Sequence, residues 1–283
     1  MRMALIALAA FAALTPVWSA TSVARYLEVD QALGPAADAG PAFSAAAAKV
    51  GTCPAFGRDP EPYVRCLLSA LDELQPGGDG KLTTLLVDRR GDPYSVAAAL
   101  LLLHGEPARL HAVVLGTHVL IGARGYDGWY FDPMNGGRVM TAGFAFSTYG
   151  MAFSRAEEAD VDRFLGHYAL HQAVPARSEK LFQLAVKAAP ASARIRYAYG
   201  AWLLRENRLD GAREQLGKST ELGPDNYDAW MDRGTALEKS GRLKPARRCF
   251  QQAMRLEPRA TAPAERMRAI DAKLEAESAQ EDR

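Results

Sequence analysis

The chain has 283 residues, 48% hydrophobic and 24% charged, which is enough to bury a substantial core and suits two ordinary domains. Its 34 Lys and Arg stand against 33 Asp and Glu. That balance gives no electrostatic case for nucleic acid or an anionic membrane surface, and neither is expected as a partner.

Met1-Arg2, an apolar run from Met3 to Leu14, Pro16 and the small residues Ser19 and Ala20 read as a signal peptide over 1–20. The apolar run is too short to cross ~30 Å of hydrocarbon, and no later segment offers about 20 apolar residues in a row. A periplasmic or secreted chain with no membrane span after cleavage is therefore expected. Cys53, Cys66 and Cys249 are the cysteines. An oxidising compartment permits a Cys53–Cys66 disulfide, contributing about 3 kcal/mol in the chain-entropy model. The alternative, Cys66 as a buried free thiol in the apolar stretch Val64 to Leu71, stays open.

From 21 to 58 the sequence is Ala-, Gly- and Pro-rich. Its order is left open, apart from an apolar-periodic stretch (Val23, Tyr26, Leu27, Val29) compatible with a helix. Pro60 to Leu74 predicts a helix with Tyr63, Val64, Leu67, Leu68 and Leu71 on one stripe, ended by Pro76 and the glycines after it. A short helix follows at Lys81 to Val87. Tyr94 to His104 is apolar throughout and predicts a buried helix, with Pro93 in the first turn, where a missing N–H costs nothing. The period then changes. Leu110 to Leu115, Val119 to Ala123 and Trp129 to Asp132 predict three strands, the last two joined by a hairpin loop. If the loop is centred on Gly125, His118 lies opposite Asp132, within reach of a hydrogen bond. A register slip by one residue would destroy that pairing.

From about Ala156 onward no strand pattern is visible. Gly166, Gly200 and Gly234 are 34 residues apart, and so are Pro190, Pro224 and Pro258, Phe182, Leu216 and Phe250, and Ala185, Ser219 and Ala253. Trp230, Arg233-Gly234, Leu237, Ala246, Phe250 and Pro258 resemble the tetratricopeptide pattern closely. The repeat at Gly200 is good, whereas the one at Gly166 is weak because Pro175 interrupts it. Such repeats bury a core only by stacking, so about 2.5 of them need caps. The preceding domain and the amphipathic segment Pro263 to Ala276 (Met267, Ile270, Leu274) are the expected caps.

Arg90-Gly91-Asp92-Pro93-Tyr94-Ser95 before a buried helix, then His118, then Asp132-Pro133-Met134-Asn135-Gly136-Gly137, follow the cysteine, histidine, aspartate order of papain-like and transglutaminase-like sites. Together with the repeats, these motifs resemble the SirB-type family of transglutaminase-like proteins over roughly Leu82 to Pro258. The family usually flanks its histidine as Pro-Gly-His-Phe, whereas this chain has Gly116-Thr117-His118-Val119. The resemblance implies an α+β transglutaminase-like (papain-like) domain with a small antiparallel sheet at 21–155, an all-α tetratricopeptide array at 156–260 and a capping helix at 261–283.

Pro93 stands where an active relative would carry cysteine, and proline has no nucleophile. Ser95 lies about 200° further around the helix and should point away from His118. Tyr94 is a second hydroxyl near the cleft. His118 and Asp132 are vestigial catalytic candidates or, alternatively, a structural pair, since Asp-Pro and Asn135-Gly136-Gly137 also read as turn chemistry. His167 and His171 are four apart on a predicted helix, but no third ligand follows at metal-site spacing, so they read as exposed surface histidines. No cofactor motif is present. The expected function is an exported, non-catalytic adaptor that binds a protein or peptide in the repeat groove. The alternative is a cysteine-independent acyl transferase or amide hydrolase using His118 and Asp132.

Overall fold

In a computed structural model, residues 20–34, 38–56, 59–71, 75–104, 109–126, 128–135, 137–150 and 156–281 are described, and the signal-peptide segment 1–19 lies outside them. The chain divides into two compact units, one through Ala189 and one from Pro190. The sequence boundary at 156 falls earlier, because the hairpin of helices after it belongs to the first unit.

The stretch whose order the composition left open contains two helices, α1 (Ala20–Gln31) and α2 (Gly40–Val50). The periodic residues Val23, Tyr26 and Val29 form the buried face of α1. Helix α3 (Glu61–Ala70) buries Tyr63, Val64 and Leu67, and the predicted end at Leu74 lies outside the described residues. A Cys53–Cys66 disulfide ties the preceding loop to α3, with Cα atoms 5.7 Å apart, and Cys249 is free and buried. Two short strands the sequence did not announce, β1 (Gln75–Pro76) and β2 (Arg90–Gly91), pair in parallel around α4 (Leu82–Asp88).

Helix α5 (Pro93–His104) is buried from Tyr94 to His104. A helix apolar on every side has no face to offer water, and here α2, α3, α4 and a sheet surround it. The sheet comprises β3 (Leu110–Val114), β4 (Val119–Ala123), β5 (Trp129–Asp132), β6 (Arg138–Thr141) and β7 (Glu157–Ala159), in the order β6-β5-β4-β3-β7. All neighbours are antiparallel. The strand β7 corrects the expectation of no strand after Ala156: Ala159, Glu158 and Glu157 pair with Ala112, Val113 and Val114. Three residues are too few to show a period. Across β3 and β4, His111 faces Gly122, and a Cβ on that glycine would stand 2.4 Å from the imidazole. The glycine is what lets the ring lie across the strand.

Between β6 and β7 runs α6 (Ala142–Tyr149), capped by the Thr141 hydroxyl, which accepts from Phe144 N–H. After β7 come α7 (Val161–Ala176) and α8 (Glu179–Ala188). Pro175 does not interrupt the repeat as expected: it sits in the last turn of α7, which ends at Arg177 with φ 48°. Counted back by the 34-residue period, 175 is where α8 should begin. The proline is instead absorbed into a longer α7, and the turn moves toward the C-terminus.

Two carboxylate networks brace this unit. Tyr26 OH donates to Val161 O at 2.7 Å, and Arg25 pairs with Asp162 at 3.0 Å, strapping α1 to α7. The fully buried Asp30 accepts from Thr83 N–H at 2.8 Å and from the Tyr168 hydroxyl, which itself accepts from Leu82 N–H at 2.6 Å. Lys81, at the N-cap of α4, gives no side-chain capping bond, so Asp30 and Tyr168 supply the missing cap from two distant helices.

The second unit repeats itself. Its helices are α9 (Ala193–Arg205), α10 (Leu209–Leu222), α11 (Tyr227–Lys239), α12 (Leu243–Leu256) and α13 (Ala262–Glu281). Ser192 and Asn226, 34 apart, cap α9 and α11 through their side chains. Arg196 Nε donates to Pro190 O at 3.1 Å, and Trp230 Nε1, 34 residues on, to Pro224 O at 2.8 Å. The proline column therefore fixes how each hairpin enters. A Cβ on Gly200 would meet Leu216 at 2.7 Å, and one on Gly234 would meet the Phe250 ring at 2.6 Å. Ala246 and Phe250 are buried with Leu237 and Cys249, and Ile270, Met267 and Leu274 of α13 cover them as the expected cap. Arg247 Nε to Asp271 at 2.6 Å and Lys273 Nζ to Glu238 at 2.8 Å lie beside that contact.

Gly166 follows the same column in the first unit but meets backbone: an added Cβ would lie 2.9 Å from Ala185 O and 2.7 Å from the Ala189 methyl. No side chain there can swing aside, so α7 and α8 would have to separate. We expect Gly166→Ala to destabilise the protein by about 2 kcal/mol in denaturant unfolding, despite alanine's better helix propensity. An unchanged midpoint would show that the crossing can widen freely.

Among the described residues no helix is long and apolar enough to cross a membrane.

Candidate functional site

His118 and Asp132 meet at one end of the sheet, before β4 and at the end of β5. Ile121 faces Phe131 and Gly122 faces Tyr130, which centres the hairpin on Tyr126 and corrects the register centred on Gly125. The slip is by two residues, and two is the period of a strand. His118 and Asp132 therefore keep the same face as diagonal neighbours, and His118 Nε2 lies 3.2 Å from Asp132 Oδ1.

Asp132 is fully buried and accepts three further bonds: Met134 N–H at 3.0 Å on Oδ1, and Asn135 Nδ2 and Tyr149 OH, each at 2.8 Å, on Oδ2. Residues Pro133–Asn135 form a 3-10 turn that carries two of these donors. Burial alone would raise the carboxyl's pKa. The bonds from His118, Tyr149 and Asn135 and the attraction of the imidazole outweigh that effect and hold it at about 2. The ionised carboxylate only accepts, so His118 presents Nε2–H to it. No hydrogen bond from a described residue reaches Nδ1.

Tyr149 was not anticipated. Its hydroxyl lies 3.2 Å from His118 Nε2, and its ring stacks on the imidazole with centroids 5.1 Å apart. Burial and the neighbouring Asp132 raise the phenol's pKa, so it remains a protonated donor. Helix α6 escaped notice because Phe144 and Phe146 alternate as in a strand. Thr141 as N-cap and Gly150 as terminator were the available signals.

The start of α5 holds no activated nucleophile. Pro93 is its first residue, and Asp92 caps the helix by accepting from Ser95 N–H at 2.8 Å. The Ser95 hydroxyl, fully buried, bonds Asp92 in return at 3.0 Å. Tyr94 OH donates to Gly116 O, and its ring is stacked on His171 at 4.2 Å. Cys53 and Cys66 are bonded to each other, and Cys249 lies in the second unit, its thiol's pKa raised by burial. The site can thus hold and orient the imidazole, and among the described residues no hydroxyl or thiol is brought to His118 Nδ1.

The expectation that His167 and His171 are exposed needs correcting. His167 is 3% exposed with Nε2 3.4 Å from Glu157, and His171 hydrogen-bonds Asp92 across the unit. Partners 10 and 79 residues away on other elements leave no mark on the local pattern. Among the described residues no group of three His, Cys, Asp or Glu is placed to hold a metal ion.

In comparisons with known proteins, no curated protein matches the chain. Among solved structures, one described as MamA MSR-1 C2 is similar at 22% identity and a TM-score of 0.35, over 40% of this chain and 66% of that one. This chain thus spans just under two thirds of that protein. MamA AMB-1 P212121 matches at 21% and 0.36, over 47% and 75%. YrrB, described as a TPR protein with an unusual peptide-binding site, matches at 16% and 0.34, over 71% and 82%. Residues 227–260 match the tetratricopeptide repeat family. The chain is a mixed α+β protein that contains tetratricopeptide repeats together with a small antiparallel sheet.

Proposed function

We propose that the protein is an exported, non-catalytic adaptor, periplasmic or secreted, in which a transglutaminase-like domain of SirB type accompanies a repeat array that binds a protein or peptide. The observation that carries the non-catalytic reading is the start of α5: Pro93 occupies the nucleophile's place, and Asp92 and Ser95 satisfy each other. His118 and Asp132 then serve as a brace between the hairpin and Tyr149. Supporting the binding role, Tyr197 of α9 and Asp232 of α11, both partly exposed, interact across the first helices of successive hairpins. Partner recovery by the full-length protein should fall sharply in Tyr197→Ala/Asp232→Ala; equal recovery would remove the repeats from the binding role.

A second reading, an acyl transferase or amide hydrolase using His118 and Asp132 with water or an external nucleophile, has one observation in its favour. The His118 side chain is 25% exposed, and among the described residues no hydrogen bond reaches its Nδ1. Such a base can act on a bound water.

A further inference from the structure

On the opposite face of β5 from Asp132, the hairpin loop, the start of α3 and Val139 of β6 line a half-open cavity of about 390 Å³, a size typical of small-ligand sites. Trp129 and Phe131 are two apart on β5 and so share that face. Phe131 is 1% exposed and Trp129 49%, so aromatic surface runs from the interior to the rim. Tyr126 adds a third ring, packed edge-on against Phe56 at 6.0 Å, and the buried Pro60 closes the side.

Both charged residues in the lining are acidic. Glu61 is paired with Arg65 at 2.7 Å. Among the described residues Asp59 accepts the Glu61 N–H, at 3.0 Å, and faces no cation. The Cys53–Cys66 bridge spans the segment that carries Asp59, Pro60 and Glu61, holding this acidic wall against α3. An exposed carboxylate beside three aromatic side chains is a complement for positive charge.

We propose that this cavity binds a trimethylammonium cation that carries no anion close to its nitrogen. Ring faces attract cations, tryptophan most strongly, and quaternary ammonium is the cation such aromatic sites favour. A compact lysine ammonium is strongly hydrated and loses more on entering apolar walls, whereas the three methyl groups gain by contact with them. Asp59 and Glu61 repel any anion held next to the nitrogen. The site shares no residue with the His118 cluster or the repeats and stands apart from both readings above.

The test uses the full-length protein with 15N-labelled tryptophan, following the indole resonance of Trp129, assigned with Trp129→Phe. Choline and Nα-acetyl-Nε-trimethyllysine amide are titrated beside glycine betaine and the neutral isostere 3,3-dimethylbutan-1-ol. A saturable shift is expected with at least one of the two cations, at about tenfold lower concentration than with betaine or the alcohol. The tighter of the two cations distinguishes a small-molecule ligand from a modified side chain. In Asp59→Asn, a change at an exposed position, the cation's affinity should fall about threefold. An alcohol response matching choline, or no shift with either cation, overturns the proposal.

Discussion

Replacing Asp132 by alanine is expected to lower the stability of the first unit by about 4 kcal/mol, the typical cost of removing one partner from a buried, bonded charge. Four donors lose their acceptor at once: His118 Nε2, Tyr149 OH, Asn135 Nδ2 and Met134 N–H. The pH dependence carries the same signature. The folded-state pKa is held at about 2, below the ordinary 3.8, so the stabilisation is complete above about pH 4 and is lost as pH falls through 2. A shift of that size corresponds to about 2 kcal/mol. Urea unfolding between pH 6 and pH 2 should show the wild type losing about that much more than Asp132→Asn, which cannot titrate. Parallel pH profiles would contradict the account.

Asp30→Ala should cost about 3 kcal/mol by a different route. It strands Thr83 N–H and the Tyr168 hydroxyl in a site sealed from water and loosens α1 and α7 from the start of α4. The pH sign is opposite. Burial dominates here and raises the carboxyl's pKa against the bonds from Tyr168, Thr83 and Leu82. Its contribution is therefore full below the ordinary carboxylate range and declines as pH rises through the raised value. Comparing Asp30→Asn with Asp30→Ala separates the acceptor from the charge: asparagine should retain much of the stability near neutral pH. Equal losses in both variants would mean that the ionised carboxylate is essential.

Much of this architecture can be read locally. The all-apolar Tyr94 to His104 segment admits only a buried helix, and the 34-residue columns reappear as capping bonds and glycine crossings. The His118–Asp132 contact was legible for a subtler reason. A strand's period of two preserves facing under an even slip, so the pairing survived a register misplaced by two residues. What escaped was non-local. Tyr168 and Asp30 lie 138 residues apart and His171 and Asp92 79 apart, and neither pair marks its neighbourhood. The strand β7 is too short to show alternation, and α6 carries its aromatics at strand-like spacing. Tyr149, which completes the His118 cluster, was lost with it.

His118 and Asp132 are proposed to brace the hairpin without performing chemistry. The most direct measurement compares wild type and His118→Ala in two assays: turnover of a glutamine peptide with and without an amine acceptor, and urea unfolding. The account predicts background turnover in both proteins and a stability loss of about 2 kcal/mol in the variant, from one charge-assisted bond and the stacking on Tyr149. Turnover by the wild type that His118→Ala abolishes, with an unchanged unfolding midpoint, would contradict it.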